Sequence, residues 1–263
     1  KASLITRLDS ELARQKSYQG NLKAVNIRLQ AEETALKNTS DVMYRFKELA
    51  VQAGNDTLGP ADRRTLSLEM TQLKEQILSL ANSQDSNGNF LFAGSRVGQA
   101  PFGQDAKGRV VYQGDQSRMV VPVGDNRRMN LNIPGSDAFV HLVRVDDKGS
   151  RVGVGFFQAL SDMANAVATS DRPNIQRGIK ELDRMQQGII DANAQVGTDM
   201  NVVDSQNSVL DEISLRLKTT LSDVQDLDYT EAITKMNKDQ LALEAAQSSF
   251  AKISKLTLFS YIN

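Results

Sequence analysis

The chain has 263 residues and a formal net charge of −1, with 24% of residues charged, and this balance leaves no basic footprint for a phosphate backbone. Its aromatics, 5% of the sequence, are scattered rather than interleaved with Lys and Arg, so nucleic acid is not an expected partner. No apolar run approaches the roughly 18–20 residues of a membrane-spanning helix, and the lack of cysteine excludes disulfides, thiolate metal sites and cysteine nucleophiles.

In chain order, the first signal is a stripe at alternating spacings of three and four: Leu22, Val25, Leu29, Leu36, Met43, Phe46 and Ala50. That is a coiled-coil seam. Glu32 and Thr39 interrupt it and are expected to trim its width or fix its register. Burying each large side chain is worth about 1.5–3 kcal/mol, against about 0.3–0.5 kcal/mol for an exposed i,i+4 ion pair, so the helix needs a packing partner. The same phase runs back through Leu8 and Leu4, giving one helix over residues 1–53 that ends at a Gly54 left-handed cap. Gly59-Pro60 is a further break. A second helix follows, antiparallel to the first, with Asp62 as N-cap or Pro60 in its first turn and Leu66, Met70, Leu73, Ile77 and Leu80 as its stripe. Asn87-Gly88 signals a tight turn, and Phe90 and Phe92 then alternate, which predicts a short hairpin between Asn82 and Gly94.

From Gly94 to Gly155 glycines crowd and the helical period disappears. Strands are expected over 109–113, 118–123, 127–133 and 138–145, separated by Gly114-Asp115, Gly124-Asp125-Asn126, Pro134-Gly135 and Asp146-Asp147-Lys148-Gly149. A mild excess of Lys and Arg in this stretch reads as a solvated face.

Helical period resumes at Phe156 and Phe157, with Leu160, Met163 and Val167 forming a short helix before Asp171-Arg172-Pro173. A long helix then carries Ile175, Ile179, Leu182, Met185, Ile189, Ala192 and Val196, extended by Val203, Leu210, Ile213, Leu217 and Leu221. It is the expected partner of the first helix. Gly178, Gly188 and Gly197 each cost about 1 kcal/mol relative to Ala in a helix, which predicts close helix approach or slight bending. Asp228 and Glu231 resemble a capping box opening a last helix, striped by Ile233, Met236, Leu243, Phe250 and Ile253. The first helix begins only at Lys1 while the returning side runs to Asn263, so this last stripe is expected to outrun its intramolecular partner and to order on assembly.

The fold expected is mainly α with a small β insertion, a long antiparallel helical bundle or coiled coil. Residues 1–94 and 155–229 form a discontinuous rod with its hairpin, 95–154 the β insert, and 230–263 a C-terminal assembly helix.

Chemistry has little to stand on. His141 is the only histidine, in an expected strand, and zinc would need more imidazoles or thiolates. Gly153-Val154-Gly155 begins like a dinucleotide loop, but Gln158 replaces the third glycine, so it reads as a turn before a helix. The paired carboxylates Asp146-Asp147 and Asp226/Asp228 read as a turn and a helix cap. No enzyme activity, cofactor or metal is expected.

The run from Arg45 to Leu58, followed by Asp62-Arg63-Arg64, resembles the first core helix and turn of bacterial flagellins. Leu80 to Ser83, Asn87 to Gly94, Pro101-Phe102, Tyr112 to Asp115, Val196-Gly197, Leu221 to Tyr229 and Ile253 to Tyr261 are more similar to the hook-filament junction family, the third hook-associated proteins. The resemblance implies a structural subunit of the extracellular flagellum, exported unfolded and assembled with copies of itself as a ring between hook and filament. Its implied partners are the first hook-associated protein, flagellin and an export chaperone that escorts the C-terminal segment. Ile233, Met236, Leu243, Phe250, Ile253, Leu256, Leu258 and Phe259 are the residues expected to bury on assembly or against the chaperone. Family members begin with a further N-terminal segment that pairs with the C-terminal helix; this sequence lacks it, which bears on whether this form polymerises. The alternatives are flagellin itself, which shares Arg45 to Leu58 but ends differently from Leu256 to Tyr261, or an unrelated coiled-coil adaptor with a β head.

Overall fold

The computed structural model describes the backbone of residues 2–55, 57–145 and 149–260, and within these ranges the side chains of all but residues 2, 227, 228 and 254–260. The elements are α1 (Ala2–Ala53), α2 (Pro60–Ala81), β1 (Phe102–Gln104), β2 (Val110–Tyr112), β3 (Val120–Gly124), β4 (Arg127–Asn130), α3 (Gly135–Ala138), β5 (Leu142–Val145), β6 (Arg151–Val154), α4 (Phe156–Ala168) and α5 (Arg172–Ser260). The chain is mainly helical with a small strand insertion, as its periodicity requires. It forms two compact units, one of Tyr18–Ser208 and one of Lys1–Ser17 with Val209–Asn263.

In the larger unit α1 and α5 run antiparallel. Lys47 meets Asp183 at 2.5 Å, and Gln186 donates to Ser40 at 2.6 Å, so residue numbers rise on one helix as they fall on the other. The seam residues Leu22, Val25, Leu29, Leu36, Met43 and Phe46 are buried on α1, as are Leu182, Ile189 and Val196 on α5; Ile179 is half-buried. Thr39, which breaks the apolar stripe, is buried by returning its hydroxyl to the Ala35 carbonyl at 2.7 Å. Two of the three α5 glycines mark close approach: a Cβ at Gly178 would lie 2.3 Å from Met163 Sδ, and one at Gly188 would lie 2.9 Å from Val140 Cγ1. At Gly197 the space is open.

The turn after α1 differs from the expected one. Gly54 does not adopt a positive φ. Instead Arg63, buried on α2, donates to the carbonyls of Ala53 and, at 2.9 Å, of Asn55, and so satisfies the acceptors that a helix end leaves open. The N-cap of α2 is Gly59, with Pro60 in the first turn; Asp62 lies inside the helix and accepts from the Gly59 amide at 3.3 Å. Arg45 reaches Glu69 at 2.8 Å while Arg63 meets Ala53, so residue numbers rise along α1 as they fall along α2 and the two helices are antiparallel. Small residues let α2 approach α4, where Ser67 donates to the Ala164 carbonyl at 2.8 Å.

The insertion is three two-stranded antiparallel hairpins, β1–β2, β3–β4 and β5–β6. Their registers pair Phe102 with Tyr112, Val120 with Asn130, and Leu142 with Val154. Strands β1 and β6 were not expected, and Gly135–Ala138, expected to lead into a strand, is a helical turn. His141 precedes β5 and is exposed. Between Asn82 and Gly94 only an isolated bridge, Gln84 to Phe90, replaces the anticipated hairpin, although Gly88 does take φ +79°. Phe92, Phe102, Phe139, Phe156 and Phe157 cluster with centroids 5.0–6.0 Å apart, edge to face except for the stacked pair Phe139–Phe157, and tie the insert to the start of α4. The Asp146-Asp147-Lys148 part of the expected turn lies outside the described residues.

In the smaller unit Ile5, Leu8 and Leu12 of α1 and Ile213, Leu217, Leu221 and Val224 of α5 are half-buried, and Gln15 and Leu210 are buried. Arg14 and Gln15 both bond Glu11, and these bonds hold its carboxyl below the usual range.

Candidate assembly surface

No helix begins at Asp228. The backbone stays helical from Arg172 to Ser260, so Asp228 and Glu231 are interior positions of α5. The side chains of Leu227 and Asp228 lie outside the described residues.

Beyond Val224 the burial pattern changes. Every described residue from Tyr229 to Ile253 is exposed. Among them are Ile233 at 39%, Met236 at 60%, Leu243 at 59%, Phe250 at 75% and Ile253 at 60% relative exposure. At about 100° per residue these five fall on one side of the helix. Tyr229, equally exposed, shares that side, whereas Leu241 falls outside it. Sequence reasoning passed over Tyr229 because the expected helix start was placed beside it. Leu256, Leu258 and Phe259 lie on the same helix with side chains outside the described residues.

Such a surface is chemically simple. Large apolar groups at helical spacing bind another apolar helix face, with each buried side chain worth about 1.5–3 kcal/mol before the cost of ordering. An isolated helix gains little in water from its own hydrogen bonds, so packing has to supply the stability.

The larger unit differs in having a buried apolar core, although Leu68, Val51 and Val145 among others are exposed on it, and in locking polar groups together. Arg144, on the inward phase of β5, makes a bidentate pair with Glu181 of α5, both bonds 2.7 Å, and also bonds Asp162 of α4. These carboxylates hold the guanidinium above even its usual high pKa. Arg144 and Glu181 were missed in sequence, although an Arg alternating with the buried Leu142 is the available signal. A cleft of about 360 Å³ lies between β2, β6 and the start of α4, floored by Phe102, Phe139, Phe156 and Phe157. Among the described residues no group of three or more His, Asp or Glu is placed to hold a metal, and no helix is long and apolar enough to cross a membrane.

Two family models match the chain: the bacterial flagellin N-terminal helical region over residues 1–96 and the bacterial flagellin C-terminal helical region over residues 179–262. The sequence is 27% identical over 241 residues to flagellar hook-associated protein 3 of Escherichia coli (strain K12), covering 87% of this chain and 75% of the relative. Among solved structures, Xanthomonas campestris FlgL matches with a TM-score of 0.71 at 24% identity, over 83% of this chain and 99% of that one. Hook-associated protein 3 of Legionella pneumophila matches with a TM-score of 0.74 at 18% identity, over 86% and 100%. At these identities the two structures speak to the fold.

Proposed function

Since the chain belongs to the flagellin-like hook-filament junction proteins of the bacterial flagellum, we propose that it works by burying the exposed stripe of α5 against neighbouring subunits. The observation that carries this reading is the unbroken exposure from Tyr229 to Ile253, with five large apolar side chains on one side of the helix. The neighbours that suit a junction are a first hook-associated protein on the hook side, flagellin on the filament side, and further copies of this chain around the ring. All can offer apolar helices to pair with α5. Before assembly the same stripe needs cover, and an export chaperone that sequesters it would keep the chain competent for secretion to the extracellular flagellum. The role is mechanical, with helix packing rather than catalysis as its chemistry.

The test is complementation. A motile bacterium lacking its own junction protein is supplied with a form carrying residues 230–263 or with one lacking them, both confirmed as secreted. Filaments should attach to hooks only with the first. Equal attachment by both forms would remove the stripe from the mechanism.

A further inference from the structure

The cleft above the phenylalanine cluster is walled by two strand edges. Residues 109–112 line one side and residues 152–155 the other; no residue of β5 reaches it, and from β1 only Phe102 does. A strand that offered a face would present every second residue, whereas an unbroken run of four is what an edge presents. The ladder of the first hairpin fixes what that edge carries. Asp105 donates to the Arg109 carbonyl at 2.8 Å and Gln113 to the Pro101 carbonyl at 2.7 Å, so residues 109, 111 and 113 turn their backbone polar groups toward β1. Val110 and Tyr112 turn theirs the other way, toward the cleft, and among the described residues no strand pairs with β2 on that side. Strand β6 likewise pairs with β5 alone, which leaves every second residue along its far side with an amide and a carbonyl directed outward.

Charge at the cleft has one sign. Its lining includes Arg109 and His141 and no Asp or Glu, and the exposed Arg151 begins β6 beside it. Arg109 gives Nε and Nη2 to Asp105 at 2.9 and 2.8 Å, so Arg151 carries the larger share of the uncompensated charge.

We infer that this cleft is a strand-acceptor site: an extended segment of another polypeptide, apolar where it crosses the phenylalanine rings and acidic at its flanks, enters between β2 and β6 and joins the two hairpins into one sheet. Main-chain hydrogen bonds to both edges supply the binding, and the rings select the side chain that points inward. Strands of three and four residues call for a segment of the same length, about 10–13 Å at about 3.3 Å per residue. Val152, on the wall of the cleft and 45% exposed, is covered by the added strand. The site is separate from the stripe of α5, so either reading stands without the other.

The test uses the whole chain, isotope-labelled, and a short capped peptide of alternating valine and threonine with a glutamate at each end. The amide signals of Val110 and Tyr112 should move saturably as peptide is added, and their hydrogen exchange should slow at least about fivefold. No movement at these two amides up to millimolar peptide overturns the site. The same peptide N-methylated at every second residue keeps its side chains but can bond only one edge, and should bind about tenfold more weakly. Equal binding overturns strand addition. Lysine in place of both glutamates should weaken binding several-fold, and equal binding overturns the acidic character assigned to the partner. Val110→Pro removes one outward donor while leaving the β1–β2 ladder bonds in place, and should weaken binding about tenfold with an unchanged melting midpoint. Full affinity in that variant overturns the proposal; should it not fold, the N-methylated peptide decides.

Discussion

Arg144 and Glu181 face each other across two parallel 2.7 Å hydrogen bonds, joining β5 of the insert to α5 although 37 positions separate them in sequence. Glu181 is nearly buried, so Arg144→Ala leaves a carboxylate without its main partner. The expected loss is about 3 kcal/mol, seen as a lower urea midpoint, with Arg144→Lys falling between because an ammonium cannot fork onto both oxygens. A midpoint within error of the parent would show that the pair contributes nothing net.

Phe46 is fully buried at the α1 seam. Phe46→Asp places a charge there with no partner among the described residues, and the chain should lose its cooperative melting transition. Phe46→Leu removes volume only and should cost about 1–3 kcal/mol. An unchanged transition in the Asp variant would mean that the seam does not hold the fold.

Deleting residues 230–263 should leave the melting midpoint of the remaining chain unaltered while reducing its helical circular dichroism. The reason is that every described residue from Tyr229 to Ile253 is exposed, so the tail adds no buried core. A fall of several degrees would show that the tail supports the folded body.

Two glycines should respond in opposite directions to alanine. Gly20 is exposed within α1 with open space around it, so Gly20→Ala should stabilise by about 1 kcal/mol. Gly94 sits at φ +69° with a Cβ position 2.3 Å from the Asp115 carbonyl oxygen, so Gly94→Ala should destabilise by at least about 1 kcal/mol. Chemical denaturation of both variants settles the signs.

Asp115 accepts bonds from the Ser95 hydroxyl and amide and from the Ser117 amide, which hold its carboxyl well below the ordinary carboxylate range. Its folded-state pKa is thus depressed, so its contribution is present above the unfolded value and is lost as pH falls toward the folded one. Asp115→Asn should weaken the fold at neutral pH and flatten the decline in stability below about pH 4. Glu32 acts with the opposite sign, its raised folded pKa lowering stability as pH climbs from about 4.5 to 8. Thermal melts across pH for the parent and each variant separate the two.

The sequence alone determined the helical stretches and their buried faces, though it placed a break at Asp228 that α5 does not have, because a three-four spacing such as Leu22, Val25, Leu29 encodes one side of a helix whatever that side meets. It also exposed the family, through ordered segments such as Arg45 to Leu58. The boundary between α4 and α5 was legible for the same local reason: Asp171 caps the Asn174 amide at 3.3 Å just ahead of Pro173. What tertiary structure alone decided are the pairings of polar groups. Arg63 replaces a glycine cap, Arg144 selects Glu181 and Asp162, and Glu32 meets the Ile133 amide 101 positions away. The short insert strands also waited on the fold. Three or four residues hold too few side chains for alternation to show, and their pairing depends on the aromatic cluster beneath them. Apolar burial depends on periodicity along one segment and can be read locally; a hydrogen bond needs a particular atom at a particular distance, which exists only once distant segments have packed.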